Sequence, residues 1–155
     1  MQPARFQFRA LNQWLGGAHS RSTIHRFYGA GAERVHERTF HFDADQPTVM
    51  VGRDHGPTPA EYLLHALAAC LTMGLANHAA KRGVRLTEVH STVTGDLDED
   101  RFHAVTVRFS VTGAAAAEEL RALVDQSRAR STLLDILTNP VPVVVEVDTV
   151  PLTKE

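Results

Sequence analysis

Residues 59–80 read PAEYLLHALAACLTMGLANHAA, a nearly uncharged stretch whose length and composition predict a long helix. Three residues mark where this helix begins. Thr58 is a good N-cap, Pro59 suits the first helical position, and Glu61 completes a Thr-x-x-Glu capping box. The stretch also contains the only cysteine of the chain, so its surroundings bear on both the fold and the chemistry.

The end of the predicted helix is marked as clearly as its beginning. Lys81 and Arg82 lie where the helix dipole favours cations, and Gly83 is typical of a C-cap, so the helix is predicted over 58–83. At 1.5 Å per residue this is a rod of roughly 35 Å. Because apolar residues occupy nearly every face, all sides of the helix need cover. A single sheet in so short a chain could hardly supply that cover, and we expect a second copy of the chain to do so.

The apolar stretch also approaches the length of a membrane span, with about 18 residues between Glu61 and Lys81. However, it contains His65, Asn77 and His78, and strand-like sequence flanks it on both sides. These features favour a buried helix of a soluble protein that has no membrane partner.

The composition is that of one soluble globular domain spanning residues 1–155, with 43% hydrophobic and 22% charged residues. The formal net charge is −2, and the sequence has no basic run or arginine-rich helix, so nucleic acid is not an expected partner. The amino terminus shows no continuous apolar segment of the kind that signal peptides carry. A single cysteine permits no internal disulfide and fits a reducing compartment, which predicts a cytoplasmic protein.

Three strand-like runs precede the helix, within residues 1–57. They alternate apolar and polar side chains, or they are rich in β-branched and aromatic residues. Their ranges are 4–14, 20–28 and 34–43. The pair Gly16-Gly17 is a turn signal between the first two runs. The pattern predicts a three-stranded antiparallel meander, followed by a loop that leads to the helix.

After the helix, residues 87–155 are predicted to form a hairpin, an amphipathic helix, a short helix and a last strand. An acidic turn at 98–100 joins the two alternating runs of the hairpin, and the amphipathic helix shows the 3.6-residue period. The ranges, in order, are 88–98, 101–113, 114–130, 131–137 and 141–147. One face of the amphipathic helix carries Leu120, Leu123, Val124 and Ser127. The order β-β-β-α-β-β-α-β is an α+β fold.

The neighbours of Cys70 in sequence leave two interpretations open. The residue lies roughly eleven positions into the predicted helix, beyond the first turn in which the helix dipole could stabilise a thiolate. Its helical neighbours Ala66, Leu67, Met73 and Gly74 carry no charge, so a reactive thiol needs a cation from elsewhere in the fold. Free cysteine is also among the most buried residue types. Cys70 is therefore either a core residue or a protected nucleophile, and its small neighbours leave room for another helix or a slim apolar ligand.

Other candidate residues have structural explanations. Glu61 could polarise a substrate, but its capping role already accounts for it. His65 lies about 140° around the helix from the cysteine and cannot pair with it directly. His41, Asp43 and Asp45 could share one strand face, an arrangement that is common by chance, and the sequence has no H-x-x-x-H or H-E-x-x-H spacing. We therefore expect neither a metal nor another cofactor.

The stretch TPAEYLLHALAACLTM at 58–73 resembles the central-helix motif of the OsmC/Ohr family, the osmotically inducible and organic hydroperoxide resistance proteins. The tail STLLDILTNPVPVVVEV at 131–147 is similar to the closing segment of that family, and Trp-x-Gly-Gly at 14–17 is similar to its first turn. The resemblance thus extends over most of the chain. It implies an OsmC-like fold and an intertwined homodimer, in which two long central helices are buried between sheets contributed by both chains.

Family members of the peroxidase type reduce organic hydroperoxides in the oxidative stress response, and the resemblance implies roles for individual residues. In those proteins a thiolate attacks the peroxide, becomes a sulfenic acid and is resolved by a second cysteine, with an arginine and a glutamate nearby. Cys70 matches the attacking cysteine, whereas Ser131 occupies the position of the second cysteine. Ser131 is also well placed to cap the short helix that follows it.

The charged positions of the family's site are shifted in this sequence. The glutamate position holds Ala60, and Glu61 follows one place later, about 100° further around the helix. The arginine position directly after the glycine pair holds Ala18, and Arg21 lies three residues further on. The chain is therefore identified as a divergent bacterial member with one cysteine, and such a member need not share the family's activity.

Two functional hypotheses follow, with a structural or regulatory dimer as a third interpretation. In the first, the protein is a reductase of organic hydroperoxides or related small electrophiles, in which Cys70 attacks and an external thiol resolves. Arg21 or Arg53 would then stabilise the thiolate, and Glu61 would orient that arginine. In the second, the dimer holds a small apolar or thioester-like ligand in a crevice beside Cys70, without turnover.

Overall fold

The computed structural model describes residues 5–99 and 101–152 of the chain. Contacts within the chain group it into two compact units, residues 1–65 and 66–155, with the boundary inside the long helix. The first unit contains the N-terminal strands, and the second contains the hairpin and two shorter helices. The elements have the mixed α+β order that the sequence predicts, except that the first predicted strand is divided in two and the last predicted strand is not formed.

Four strands form the antiparallel sheet of the first unit. They are β1 (Gln7–Phe8), β2 (Leu11–Gly16), β3 (His19–Gly29) and β4 (Ala32–Ala44). β3 lies in the middle, with β1 and β2 along one edge and β4 along the other. The predicted first strand is divided into β1 and β2. Phe8 pairs with Phe27 whereas Leu11 pairs with Thr23, so the register slips between them as it does at a β-bulge.

Gly17 lies in the turn between β2 and β3, and Gly16 is the last residue of β2, so the turn predicted at the glycine pair is confirmed. Their φ angles of 119° and 58° are ones that glycine adopts without the steric penalty of a Cβ. The indole Nε1 of Trp14 donates a hydrogen bond to the carbonyl oxygen of Gly17 over 2.9 Å. This bond ties the strand to its own turn.

The long helix, α1, is Pro59–Lys81, and both of its predicted ends are confirmed. At its start the amide of Thr58 donates to Glu61 Oε2 over 2.8 Å, and the amide of Glu61 donates to Thr58 Oγ1 over 3.2 Å. These reciprocal bonds satisfy amides that the first turn of a helix leaves unpaired. At its end Gly83 has a φ of 67°, as a C-cap glycine does.

The second unit contains the predicted hairpin and two shorter helices. The elements are β5 (Leu86–Asp98), β6 (Arg101–Gly113), α2 (Ala117–Ala129) and α3 (Thr132–Thr138). Asp98 pairs with Arg101 at the end of the hairpin, where the acidic turn is predicted, and Asp100 of that turn lies outside the described residues. The amphipathic helix begins at Ala117 and is therefore shorter than its predicted range of 114–130.

The core of the second unit lies between α1, α2 and the hairpin. Leu75, Ala79 and Leu123 are almost fully buried. Partly buried apolar side chains pack against them, namely Val84, Leu86, Val89, Phe109, Val111, Leu120 and Val124. The predicted apolar face of α2 is thus confirmed. Ser127, on the same face, is buried and donates to the carbonyl oxygen of Leu71 over 2.6 Å.

α1 buries only one stripe of its surface within a single chain. Its buried residues Leu67, Leu71, Leu75 and Ala79 recur every four positions, whereas Met73 is 62% exposed. The helix is also long and apolar enough to cross a membrane, a property that core helices of soluble proteins share. The exposures agree with the expectation that one chain cannot cover this helix. Cover by a second copy stays a prediction.

The predicted last strand over 141–147 is wrong for the single chain. Residues 140–152 have no regular secondary structure, and Val143, Val144 and Val145 are 79–89% exposed. A strand needs a neighbour that pairs with its backbone amides and carbonyls. Within the described part of the chain, no strand pairs with this segment. The valine run therefore has the composition of a strand but lacks the partner that would make it one.

Candidate functional site

Cys70 and Ser131 lie side by side in the second unit. Cys70 Sγ is 3.3 Å from Ser131 Oγ, within hydrogen-bonding range for a sulfur atom, although the residues are 61 positions apart in the sequence. Cys70 is half-buried and Ser131 is buried. The two residues that the resemblance places at the family's two cysteine positions are therefore in contact.

The beginning of α3 fixes the hydroxyl group of Ser131. Its Oγ accepts a hydrogen bond from the amide of Leu134 over 3.2 Å, which confirms the predicted N-cap. A hydroxyl group has two acceptor positions and one hydrogen to donate. Because Leu134 uses an acceptor position, the hydroxyl hydrogen can be donated to the sulfur of Cys70. That donation suits a thiolate, which can only accept.

Small residues near Cys70 allow α2 to come close to α1. A Cβ built on Gly74 would lie 2.6 Å from Ser127 Oγ, so a larger residue there would collide with α2. Leu67 is buried and Met73 is exposed. Of five cavities of about 310 to about 460 Å³ in residues 5–99 and 101–152, none has Ala66, Leu67, Met73 or Gly74 in its lining. The space beside Gly74 is therefore filled by another helix, α2. A ligand crevice beside Cys70 stays a hypothesis.

Two of the charged residues that were predicted to serve the thiol have other partners in the first unit. Glu61 Oε2 accepts from the amide and the hydroxyl of Thr58, and these hydrogen bonds hold the pKa of Glu61 below its usual value. Arg21 donates to both carboxylate oxygens of Asp43, over 2.9 and 3.1 Å. Glu61 therefore caps α1, and Arg21 joins β3 to β4.

Arg53 differs from Arg21 in that its side chain forms no hydrogen bond or ion pair among residues 5–99 and 101–152, and only its backbone amide does, to Asp45. The residue lines a cavity of about 310 Å³ in the first unit. Cys70 belongs to the second unit, whereas Arg21, Arg53 and Glu61 belong to the first. The action of these charged residues on the thiol therefore stays a prediction.

A pair of stacked histidines lies in the first unit, and sequence reasoning missed it. The rings of His19 and His55 are parallel, with their centroids 4.3 Å apart. His19 Nε2 lies 2.9 Å from Asp43 Oδ1, and His55 Nδ1 lies 2.6 Å from Asp45 Oδ2. The strand pattern placed these two carboxylates with His41, which instead contacts the hydroxyl of Thr23 on the neighbouring strand.

Asp45 organises the loop that carries His55. Its carboxylate is 3% exposed and accepts from the amides of Gln46, Arg53 and His55, in addition to the imidazole of His55. These hydrogen bonds hold the pKa of Asp45 well below its ordinary value, and the bond from the imidazole of His55 has the largest effect. The carboxylate is therefore ionised at neutral pH and fastens the loop to the end of β4.

Asp43 is held in a similar way by Arg21 and His19, whose hydrogen bonds lower the pKa of its carboxyl. Within the described ranges, no group of three or more histidine, cysteine, aspartate or glutamate side chains is arranged to hold a metal ion. The cluster thus consists of two hydrogen-bonded His–Asp pairs stacked on each other. The only hint in the sequence was the Arg53-Asp54-His55 stretch, charged residues inside a loop rich in proline and glycine.

The fold matches those of OsmC and Ohr proteins. The OsmC like protein from Mycoplasma pneumoniae has a TM-score of 0.66 at 14% identity, with 86% of this chain and 89% of that chain covered. The organic hydroperoxide resistance protein OsmC from Legionella pneumophila has a TM-score of 0.56 at 14% identity, with 85% and 90% covered. The organic hydroperoxide resistance protein OhrB of Bacillus subtilis has a TM-score of 0.53 at 18% identity, with 86% and 93% covered. At such identities the likeness shows a shared fold.

Among curated protein sequences, none matches the chain. The sequence profile of the OsmC-like protein family matches residues 52–146, which is more than half of the chain. The matched range contains α1, the hairpin, Cys70 and Ser131. Membership also supports a soluble protein. From the matched range and the shared fold together, we conclude that the chain belongs to the OsmC-like protein family.

Proposed function

We propose that the protein is a thiol-dependent reductase of organic hydroperoxides, or of related small electrophiles, with a role in the peroxide-stress response of the cytoplasm. The contact between Cys70 and Ser131 carries this proposal, because it provides a hydrogen-bond donor to the only thiol of the chain. Further support comes from two structures of the same fold that are named organic hydroperoxide resistance proteins.

In the proposed reaction, the thiolate of Cys70 attacks the terminal oxygen of a hydroperoxide, ROOH. The S–O bond forms as the O–O bond breaks, and the departing RO⁻ takes a proton from solvent and leaves as ROH. The sulfur is thereby oxidised to a sulfenic acid. Ser131 donates its hydroxyl hydrogen to the sulfur before the attack, and a hydrogen bond to an ionised acceptor is stronger than one to a neutral acceptor. The serine thus favours the thiolate form.

Ser131 cannot complete the cycle, because a hydroxyl group forms no disulfide. An external thiol, R′SH, attacks the sulfenic sulfur and releases water, leaving a mixed disulfide. A second R′SH then attacks this disulfide, frees Cys70 and leaves as R′SSR′. The cycle consumes two thiols for each ROOH that is reduced to ROH, and a reducing cytoplasm supplies them.

The proposed active form is a homodimer. Apolar surface that is exposed in the single chain supports a dimer. It comprises Met73 on α1, the valines within 140–152, and a cavity of about 460 Å³ whose lining includes Phe109 and Leu120. Soluble monomers rarely expose large contiguous apolar surface. A second copy would cover α1 and offer the terminal segment a strand to pair with. Light scattering should therefore report twice the chain mass of 17.0 kDa.

Stopped-flow oxidation by cumene hydroperoxide tests the reductase. We expect Cys70 to react at least about tenfold faster than free cysteine at the same pH, because the hydroxyl of Ser131 can donate a hydrogen bond to the thiolate. Cys70→Ser should abolish peroxide consumption, and the wild-type protein should turn over only when an external thiol is added. A rate no higher than that of free cysteine would remove the proposal.

A non-catalytic ligand-binding dimer is the second candidate. It is favoured by the contacts of Arg21 with Asp43 and of Glu61 with Thr58, which occupy side chains that the reductase hypothesis assigned to the thiol. Native mass spectrometry of freshly purified protein should then detect a copurified apolar or thioester-like molecule. An empty protein, together with no thermal shift across a panel of apolar ligands, would contradict this candidate.

A further inference from the structure

We propose that the first unit contains a binding site for a small monocarboxylate. The site is the cavity of about 310 Å³ whose lining includes His19, His55 and Arg53. Its ligand has a carboxylate, which Arg53 and the two imidazoles bind, and a short apolar chain or ring.

The hydrogen bonds to the aspartates determine which ring nitrogen of each histidine can bind a ligand. Asp43 and Asp45 are ionised, so their oxygens accept and the histidine nitrogens donate. His19 therefore carries a hydrogen on Nε2, and His55 carries one on Nδ1. The opposite nitrogens, Nδ1 of His19 and Nε2 of His55, have no hydrogen-bond partner within residues 5–99 and 101–152. Each becomes a donor when its ring is protonated.

The charges around the cavity favour an anion over a cation. The carboxylate of Asp45 accepts four hydrogen bonds, and that of Asp43 accepts from Arg21 and His19, so neither is left to hold a cation. While both imidazole rings are neutral, the positive charges of Arg21 and Arg53 equal the negative charges of the two carboxylates. Protonation of either ring makes the cluster positive. The groups that remain to bind a ligand are therefore donors, namely Arg53 and the protonated imidazoles.

The remaining lining of the cavity explains why the anion should carry an apolar part. Leu15 and Val51 contribute apolar side chains, and the turn at Gly16 and Gly17 contributes backbone without side chains. A guanidinium binds a carboxylate through two parallel N–H···O bonds. With its carboxylate on Arg53, a monocarboxylate can place its apolar chain or ring against the aliphatic side chains, whereas inorganic phosphate has no such part.

Binding is expected to take up a proton onto the histidine pair. A protonated ring donates to the carboxylate, whereas a neutral ring would place a lone pair against it. The charged groups that contact or flank the pair are Asp43, Asp45, Arg21 and Arg53. Hydrogen bonds lower the pKa of Asp43 and of Asp45 and raise the pKa of Arg21, so these three groups stay charged as the pH rises. Because binding takes up a proton, the affinity should fall as the pH rises.

Calorimetric titration of the full chain with sodium benzoate tests the site. Benzamide serves as the uncharged ligand of the same shape, and inorganic phosphate serves as the anion without an apolar part. We expect benzoate to bind at about pH 6 and about tenfold more weakly at about pH 8, with benzamide and phosphate weaker by about tenfold at the lower pH. Arg53→Gln and His55→Gln should each weaken benzoate binding by about tenfold or more.

The matched control is His103→Gln. His103 Nε2 lies 2.6 Å from Asp98 Oδ1, the same kind of pair, but on the exposed hairpin of the second unit. Its substitution should leave benzoate binding unchanged. His55→Gln keeps an amide that can donate to Asp45, and circular dichroism will show whether the variant folds. If it does not fold, His19→Gln takes its place.

Three results would overturn the proposal. They are equal affinity for benzoate and benzamide, undiminished binding in both Arg53→Gln and the histidine variant, and binding of Zn²⁺ but not of benzoate. The outcome is distinguishable from that of the reductase test, because His55→Gln should leave the rate of Cys70 oxidation unchanged.

Discussion

The sulfur of Cys70 lies 3.3 Å from the hydroxyl oxygen of Ser131, so α1 and the beginning of α3 meet at the only thiol of the chain. The same hydroxyl accepts from the amide of Leu134. Ser131 thus has two tasks, to cap a helix and to contact a thiol. Substitutions at this one position can separate them.

Ser131→Cys should create an internal disulfide on oxidation. The sulfur atoms would need to approach by about 1 Å to reach the S–S bond length, a movement that side-chain rotation can supply. After one equivalent of cumene hydroperoxide, we expect mass spectrometry to show the loss of two hydrogens and a thiol assay to find no free thiol. Thr132→Cys, at the exposed neighbouring position, is the control and should keep its thiol. A persistent sulfenic acid in Ser131→Cys would show that the contact is not close enough for disulfide formation.

Ser131→Ala and Ser131→Asp should separate capping from chemistry. Alanine cannot cap α3, so urea unfolding should show a loss of about 1 kcal/mol, whereas aspartate caps well and should cost little. Both variants lack the hydroxyl donor, and the aspartate adds a negative charge that disfavours the thiolate. We therefore expect slower oxidation of Cys70 in both, with Ser131→Asp the slower. Oxidation at the wild-type rate in both variants would limit Ser131 to its capping role.

Gly74→Ala should destabilise the protein, because the new Cβ would lie 2.6 Å from Ser127 Oγ. Overpacking of this kind costs about 1–3 kcal/mol. In a Ser127→Ala background the colliding atom is gone, so the same substitution should cost less, and a double-mutant cycle of urea midpoints measures the difference. Ala80→Gly, at an exposed position of α1, is a control for the change in helix propensity alone. Equal costs in the two backgrounds would rule out the collision.

Acid should weaken the first unit through Asp45. Its pKa is lowered in the folded protein, chiefly by the bond from His55, so its contribution to stability is fully present above the ordinary value of 3.8. That contribution is lost as the pH falls from there towards the folded value. We expect Asp45→Asn to lower the denaturation midpoint at neutral pH and to reduce its fall below about pH 4, as followed by circular dichroism. Asp54→Asn, in the same loop, should behave like wild type, and an equally steep acid loss in Asp45→Asn would assign the effect to other carboxylates.

Local signals predicted the helices and the hairpin, because those signals act between residues that are close in sequence. The capping box of Thr58 and Glu61 spans three positions, and Gly83 ends α1 through its own φ angle. Alternation within each run was enough to predict β5 and β6. Alternation could not predict the break between β1 and β2, because the bulge depends on how the pair aligns with β3.

The last strand shows where composition misleads. Residues 141–147 have the β-branched content of a strand, but pairing depends on a neighbour, and the single chain provides none within the part that the structure describes. The stacked histidines show the opposite case. Nothing near His19 in the sequence points to His55, since a loop closed on Asp45 brings them together.

The sequence by itself determined α1, the hairpin and the resemblance to the family. Capping, periodicity and the motif around Cys70 each depend only on residues that are close together in the sequence. Only the tertiary structure decided which side chains meet. It joined Cys70 to Ser131, and it engaged Arg21 with Asp43. The reason is physical: hydrogen bonds and ion pairs require distances of a few ångströms, and the path of the chain in space, not separation along it, decides which groups come that close.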